Sequence, residues 1–391
     1  MISNYMLKVA NDRNAGEEQP NTCSHCPEVL EPQIDLNSYA QRYSDIPRLI
    51  RLKFIAQVCP KLRVQALELA IDHVKTTYNV PLYDELYHTL CAEVERTNSA
   101  ANVDAADGNG TENDDEPSPS TSRSQRTRGS RSSQSVPYDA YWVEDNTMES
   151  TLLLQELDAE LNFKKTHSGN SYKRRILEEM GDYHVKTGNL KMAVKFYARV
   201  RPFCTQSDNV INMFRNLIKV SIYMANWWHV LSYIDEAKQY AYGFENLAQS
   251  VPARFSCASG LANLGLKIYK TAAECFLRTP FNRYDYVQIV APSDVGYYGG
   301  LCALATFDLD TLEHGVLNSE PFKPFFERAP KMWEILARFY ERNFDHCLVL
   351  LHEIQDNMRV DVYLAPHVDT LYQKIGARIE SYRNARPRKD F

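Results

Sequence analysis

The sequence predicts an all-α chain, a right-handed α-solenoid of stacked helical hairpins, and three observations carry that expectation. Apolar residues recur at three- and four-residue steps along most of the 391 residues, the spacing that gathers them on one face of a helix. Strand signals are few, because no hairpin-type turn joins two alternating segments. Small and aromatic residues also recur at fixed offsets, about 40 residues apart, as a repeat architecture requires.

Residues 1–34 carry Gly, Pro, Asn and Glu without periodicity and read as a flexible tail. Residues 35–97 read as an N-terminal helical segment. Ile46, Leu49, Ile50, Ile55 and Val58 follow the helical period until Cys59-Pro60, where proline cannot continue a helix. A second helix takes Leu67, Ala70, Ile71, Val74 and Tyr78 and ends at Pro81, and a third takes Leu82, Leu86, Leu90 and Val94.

Residues 98–137 differ in kind, acidic first (Asp104, Asp107, Glu112, Asp114, Asp115, Glu116) and then Ser/Arg-rich (Arg123, Arg126, Arg128, Arg131). Few apolar residues offset the entropy of ordering, so the stretch reads as a disordered linker. It is either an inert spacer or a segment whose phosphorylation would pair with the neighbouring arginines. Helical repeats then occupy 138–290, opening with Leu154, Leu157 and Leu161, then Tyr172, Ile176 and Met180. Residues 291–376 continue helical, and 377–391 read as a basic tail containing Arg383, Arg386, Arg388 and Lys389.

The repeat has a packing reason. Gly188 lies in the turn after the helix holding Gly181; two, five and nine positions on come Leu190, Ala193 and Tyr197. Lys267 begins a second copy, with Gly260 seven positions back and Tyr269, Ala272 and Phe276 at the same forward offsets. Arg342 begins a third, with Phe344, Cys347 and Leu351, and Ile335 in place of the glycine. A copy counted from Asn226 keeps Trp228 and Leu231 but has Asp235 where an aromatic is expected. Small residues facing each other, Gly181 against Ala193 and Gly260 against Ala272, would let two helix backbones approach closely. The pattern is a degenerate tetratricopeptide repeat, spaced more widely than the usual ~34 residues. In such a solenoid each hairpin touches mainly its neighbours and leaves long faces for partners.

No motif in the sequence marks a reaction centre, although a Cys/His pair would meet only in space. A net charge of −6 provides no field that favours nucleic acid or an anionic membrane. No apolar run nears the roughly 18 residues that span a bilayer, and Met1 to Val9 lacks the apolar core of a signal peptide. Nine irregularly spaced cysteines suit free thiols in a reducing compartment. No phosphate-cradling glycine loop and no H-E-x-x-H occur. Cys23-Ser24-His25-Cys26 has metal-ligand flavour but lacks the second pair a structural zinc site needs. His184 and His367 sit on helical patterns, where a packing role is the commoner one. The 24 tyrosines and the Trp227-Trp228 pair follow the helical period, which favours core and inter-repeat packing over base stacking. The expectation is a chain without catalytic, cofactor-binding or metal residues.

Three strings carry a family resemblance. Arg51-Leu52-Lys53-Phe54-Ile55-Ala56, with Cys59-Pro60-Lys61-Leu62-Arg63-Val64 and Ala66-Leu67, resembles the N-terminal region of the COP9 signalosome subunit 1 family. The tract from Tyr297 to Asp308, containing Tyr298, Gly299, Gly300 and Leu301, is similar to that family's most distinctive stretch. So is Tyr363-Leu364-Ala365-Pro366-His367-Val368, followed by Leu371-Tyr372. Asn209-Val210-Ile211-Asn212-Met213 and Asn226-Trp227 add a central match.

The resemblance implies a helical-repeat arm leading into a PCI domain, a helical bundle plus winged helix. Since sixteen residues follow Ile375, the winged helix is expected to be missing, as in a variant isoform, a diverged paralogue or a truncated product. It also implies a non-catalytic scaffold subunit of the cytoplasmic and nuclear complex that removes the modifier NEDD8 from cullins. The metalloprotease chemistry of that complex belongs to another subunit. The implied partners are the other signalosome subunits and cullin-RING ligases, with no cofactor, membrane, nucleic acid or small-molecule substrate. Three alternatives stay open. One is a related proteasome-lid scaffold subunit, disfavoured by the 298–308 string; the others are a stand-alone adaptor that binds protein or nucleic acid, and a cysteine enzyme.

Overall fold

The helical periods fold as helices, and among the described residues no strand forms. The structure, a computed structural model, describes Val29 and residues 32–106, 137–163, 169–241 and 250–384. The Cys23-Ser24-His25-Cys26 cluster lies outside them.

An N-terminal block contains α1 (Leu36–Gln41), α2 (Asp45–Val58), α3 (Arg63–Val74) and α4 (Val80–Ala106). Asp35 caps α1 by accepting the backbone N–H groups of Asn37 and Ser38. Pro60 ends α2 as the sequence predicts, but the chain continues as a short 3-10 turn, Pro60–Leu62, directly into α3. Two expected boundaries are corrected here. The N-terminal tail is anchored before residue 35: Val29 is buried and donates its N–H to the Val58 carbonyl at 2.9 Å, while the Gln33 N–H reaches Asn357 Oδ1 at 2.8 Å. Helix α4 also runs to Ala106, through the start of the expected 98–137 linker. Ala100, Ala101, Ala105 and Ala106 explain this, because alanine has the strongest intrinsic helix propensity. Residues 107–136 lie outside the described chain.

The array follows as α5 (Ala140–Phe163) and three hairpins: α6 (Asn170–Lys186) with α7 (Leu190–Arg199), α8 (Ser207–Tyr223) with α9 (Trp227–Ala241), and α10 (Ser250–Gly265) with α11 (Tyr269–Leu277). Each hairpin turns on one residue in the left-handed region: Gly188 (φ 78°), Ala225 (φ 50°) and Lys267 (φ 62°), with Arg342 (φ 60°) doing the same further on. The failed copy counted from Asn226 is therefore a register error of one. Counted from Ala225, the offsets fall on Trp227, Val230 and Ile234, and the last two are fully buried.

The facing of small residues is corrected as well. The space above Gly181 is filled by the ring of Tyr197, and that above Gly260 by the ring of Phe276. The glycines admit an aromatic ring from the partner helix; the buried Ala193 and Ala272 pack beside that contact.

The C-terminal block is built on α12 (Pro292–Thr306), buried on nearly every side. Around it lie α13 (Leu309–Leu312) with a π-helical turn Glu313–Leu317, α14 (Lys323–Glu327), α15 (Pro330–Tyr340), α16 (Phe344–Arg359) and α17 (Val368–Asn384). Helix α17 corrects the expected basic tail, since residues 377–384 continue the helix and bury Ile379. Arg378 donates to the carbonyls of Leu304 and Phe307, satisfying the C-terminal end of α12. Arg383 pairs with Asp345 at 2.5 Å, and residues 385–391, with Arg386, Arg388 and Lys389, lie outside the described chain. Among the described residues, no helix is long and apolar enough to cross a membrane.

Candidate functional site

The three strings of the resemblance meet at one buried side chain, Arg51. Helix α2 presents apolar residues nearly all round (Leu49, Leu52, Phe54, Ile55 are buried), so the arginine between them has no route to solvent. Its guanidinium, 1% exposed, pairs with Asp361 at 2.5 Å and with Asp294 at 3.4 Å. It also donates to Tyr39 Oη (3.1 Å), Tyr298 Oη (3.5 Å) and the Ile289 carbonyl (3.3 Å). The rings of Tyr43 and Tyr363 cover its faces at 4.0 and 5.0 Å, within cation–π range.

Each carboxylate is held from its own side. Asp294 lies in the first turn of α12, where it accepts the Ala291 N–H at 3.0 Å and the Tyr43 hydroxyl at 2.7 Å. Asp361 follows α16 and accepts the Tyr298 hydroxyl (2.6 Å) and the N–H groups of Tyr363 and Leu364 (3.0 Å each). Burial raises the Asp294 carboxyl above its ordinary value, and Arg51 opposes that rise. Burial likewise holds the Tyr43 and Tyr298 phenols well above theirs, so both stay neutral donors.

The hub therefore ties the N-terminal block to the first turn of α12 and to the connection between α16 and α17. A second contact ties the N-terminal block to the array: Asn79 sits against Gly188, and the Tyr78 N–H donates to the Lys186 carbonyl at 3.2 Å.

Most sequence-predicted residues converge on this region. The Tyr298 ring meets Phe276 edge-on at 5.9 Å, and Gly299 is covered by Phe276 and Phe322. Gly300 takes Met332, whose Cγ would lie 2.5 Å from an added Cβ, and Leu301 is fully buried. Tyr363 abuts Trp227 at 6.0 Å, Leu364 and Ala365 are buried, and Pro366 is exposed within a 3-10 turn. His367 is 4% exposed beside the Tyr269 hydroxyl (3.3 Å), and burial pushes its pKa down to about 4. Gly181, Gly188, Ala193 and Tyr197 belong to the first hairpin, away from the hub.

Arg51, Asp294 and Asp361 were not singled out from the sequence as a cluster, because charged residues read as surface unless something shows their burial. The usable signal was the apolar surround of Arg51 within α2. Among the described residues no His/Cys/Asp/Glu group has the geometry to hold a metal. Burial pushes the Cys257 and Cys347 thiols up to about 12, which suits packing rather than nucleophilic attack.

The chain is 40% identical to COP9 signalosome complex subunit 1b of Drosophila melanogaster, over 90% of this chain and 69% of that protein. The chain belongs to the COP9 signalosome subunit 1 family. The subunit 1 relative of Arabidopsis thaliana is 32% identical over 93% of this chain and 73% of its own length. Residues 139–314, the array with α12 and α13, also match the family model described as 26S proteasome subunit RPN7. A 26S proteasome non-ATPase regulatory subunit 6 of Dictyostelium discoideum is 20% identical over 58% of this chain and 60% of that protein. The hub residues Arg51, Tyr298 and Tyr363 lie in the strings that carry the resemblance.

Proposed function

We propose that this chain is a non-catalytic scaffold subunit of a COP9 signalosome, acting in cytoplasm and nucleus in the complex that removes NEDD8 from cullins. The observation that carries this reading is the buried Arg51 hub, within a family match that covers 90% of this chain. The hub fastens the N-terminal block to the C-terminal helices, and the Asn79–Gly188 contact fastens the same block to the array, as a support for other subunits requires. Charge, hydroxyl and thiol groups in the interior are spent on packing and pairing, which supports holding rather than transforming. Cullin-RING ligases are the further partners on this reading.

Affinity purification of the tagged chain from cells, with subunit stoichiometry read by mass spectrometry, tests it. The expected result is equimolar recovery of the other signalosome subunits, with recovery lowered by Arg51→Ala. Recovery only as a free monomer would overturn the proposal. The RPN7 match supports a second reading, a subunit of the proteasome lid, and co-purification with lid subunits instead would favour it.

A further inference from the structure

Helix α5 is apolar on two opposite sides. Trp142, Leu153, Leu154, Leu157 and Leu161 pack into the core. On the other side Tyr141, Met148, Leu152 and Phe163 are 80, 59, 59 and 80% exposed. At ~100° per residue these four fall within an arc of about 60° and run along about 33 Å of helix. Met148 and Leu152 lie one turn apart, with Tyr141 two turns before Met148 and Phe163 three turns beyond Leu152, an alignment that sets them apart from single exposed apolar residues scattered over a surface.

Position makes it more unusual. Helix α5 opens the array, and the outer face of a terminal repeat is ordinarily polar, since nothing stacks on it. The borders have one sign of charge. Exposed Glu144 and Glu156 flank the stripe, exposed Asp145 lies within its arc between Tyr141 and Met148, and α5 contains no lysine or arginine.

A cover must supply a line of apolar side chains of matching length, with cations along its edges. An amphipathic helix does both. The preceding stretch of this chain supplies Arg123, Arg126, Arg128 and Arg131, but residues 107–135 contain no Val, Leu, Ile, Met or aromatic residue to fill the stripe. A second copy would set the same carboxylates against each other, which like-charge repulsion opposes. We infer that the outer face of α5 docks an amphipathic helix of another protein, one whose apolar stripe is bordered by Lys and Arg.

The test titrates the full chain with three synthetic helical peptides, read by fluorescence anisotropy. The first carries a leucine stripe bordered by lysine and arginine, the second the same stripe bordered by glutamate, and the third the basic borders with serine in the stripe. The first should bind saturably and at least ~10-fold more tightly than the others, a difference of ~1.4 kcal/mol. The variant Met148→Ser/Leu152→Ser, and separately Tyr141→Ser, should weaken it by a similar factor with helix content unchanged by circular dichroism. The variant Glu144→Lys/Asp145→Lys/Glu156→Lys should shift preference to the glutamate-bordered peptide. No saturable binding, equal binding of the serine peptide, or indifference to both stripe variants would overturn the proposal. Self-association abolished by Met148→Ser/Leu152→Ser would overturn it too, by assigning the face to a second copy. Subunit recovery from cells reads complex membership and this titration reads one face, so either can fail while the other stands.

Discussion

The ring of Phe276 occupies the space that a side chain on Gly260 would need, and an added Cβ would lie 2.7 Å from Phe276 Cδ1. Tyr197 stands in the same relation to Gly181. Overpacking of this kind costs about 1–3 kcal/mol. Urea unfolding followed by circular dichroism should show Gly260→Ala and Gly181→Ala destabilised by that amount. Gly376→Ala, in α17 with no atom within 4 Å of the new methyl group, should instead gain about 0.5–1 kcal/mol. Equal effects at the three sites would contradict the packing account.

Arg51 is the one cation paired to two buried carboxylates in the hub. Arg51→Met leaves both without it, and breaking a buried pair in this way costs about 3–5 kcal/mol. The triple variant Arg51→Met/Asp294→Asn/Asp361→Asn removes the stranded charges. It should recover part of the loss in the same unfolding assay. A triple variant less stable than Arg51→Met would show that shape, not charge, holds the hub.

Non-glycine residues in the left-handed region carry a penalty of about 1–2 kcal/mol. Ala225→Gly and Arg342→Gly relieve it and should raise the thermal midpoint. Gly188→Ala, at φ 78° against Asn79, should lower it. Differential scanning calorimetry on the three single variants checks both signs.

His367 is buried with its pKa pushed down to about 4, by burial first and by the charge of Lys267 second. Its unfolded value is about 6.5. Between those limits the unfolded chain binds a proton that the native chain refuses, so stability is complete above about pH 6.5 and falls as pH drops toward 4. The fall amounts to roughly 3 kcal/mol from this group. His367→Gln should flatten stability across that window relative to the parent. Parallel curves for the two proteins would refute the assignment.

The helices and the hairpin offsets were legible because apolar period and small-plus-aromatic pairs are local signals. The fourth register was missed by one residue because Ala225 gives no sign of its positive φ. The following residue did: Asn189, Asn226 and Asn343 each accept the N–H three positions on, capping the second helix of a hairpin. The helix ends were hidden by composition. Acidic and basic stretches read as unstructured, yet alanine carries α4 to Ala106, and Ile379 with Arg378 binds α17 to the core. The hub was legible only as three separate strings. What joins them is a set of contacts between residues far apart in sequence, which no single segment encodes.

Arg51 and Asp361 are separated by 310 positions along the chain. At ~5–20 residues per second of synthesis, the carboxylate emerges roughly 15–60 s after its guanidinium. Asp294 emerges first, 243 positions after Arg51, and until Asp361 follows α2 holds its buried cation with one of its two counter-charges. Closure of the hub is thus a late event in the life of the chain, set by the distance in sequence between a cation and its second carboxylate.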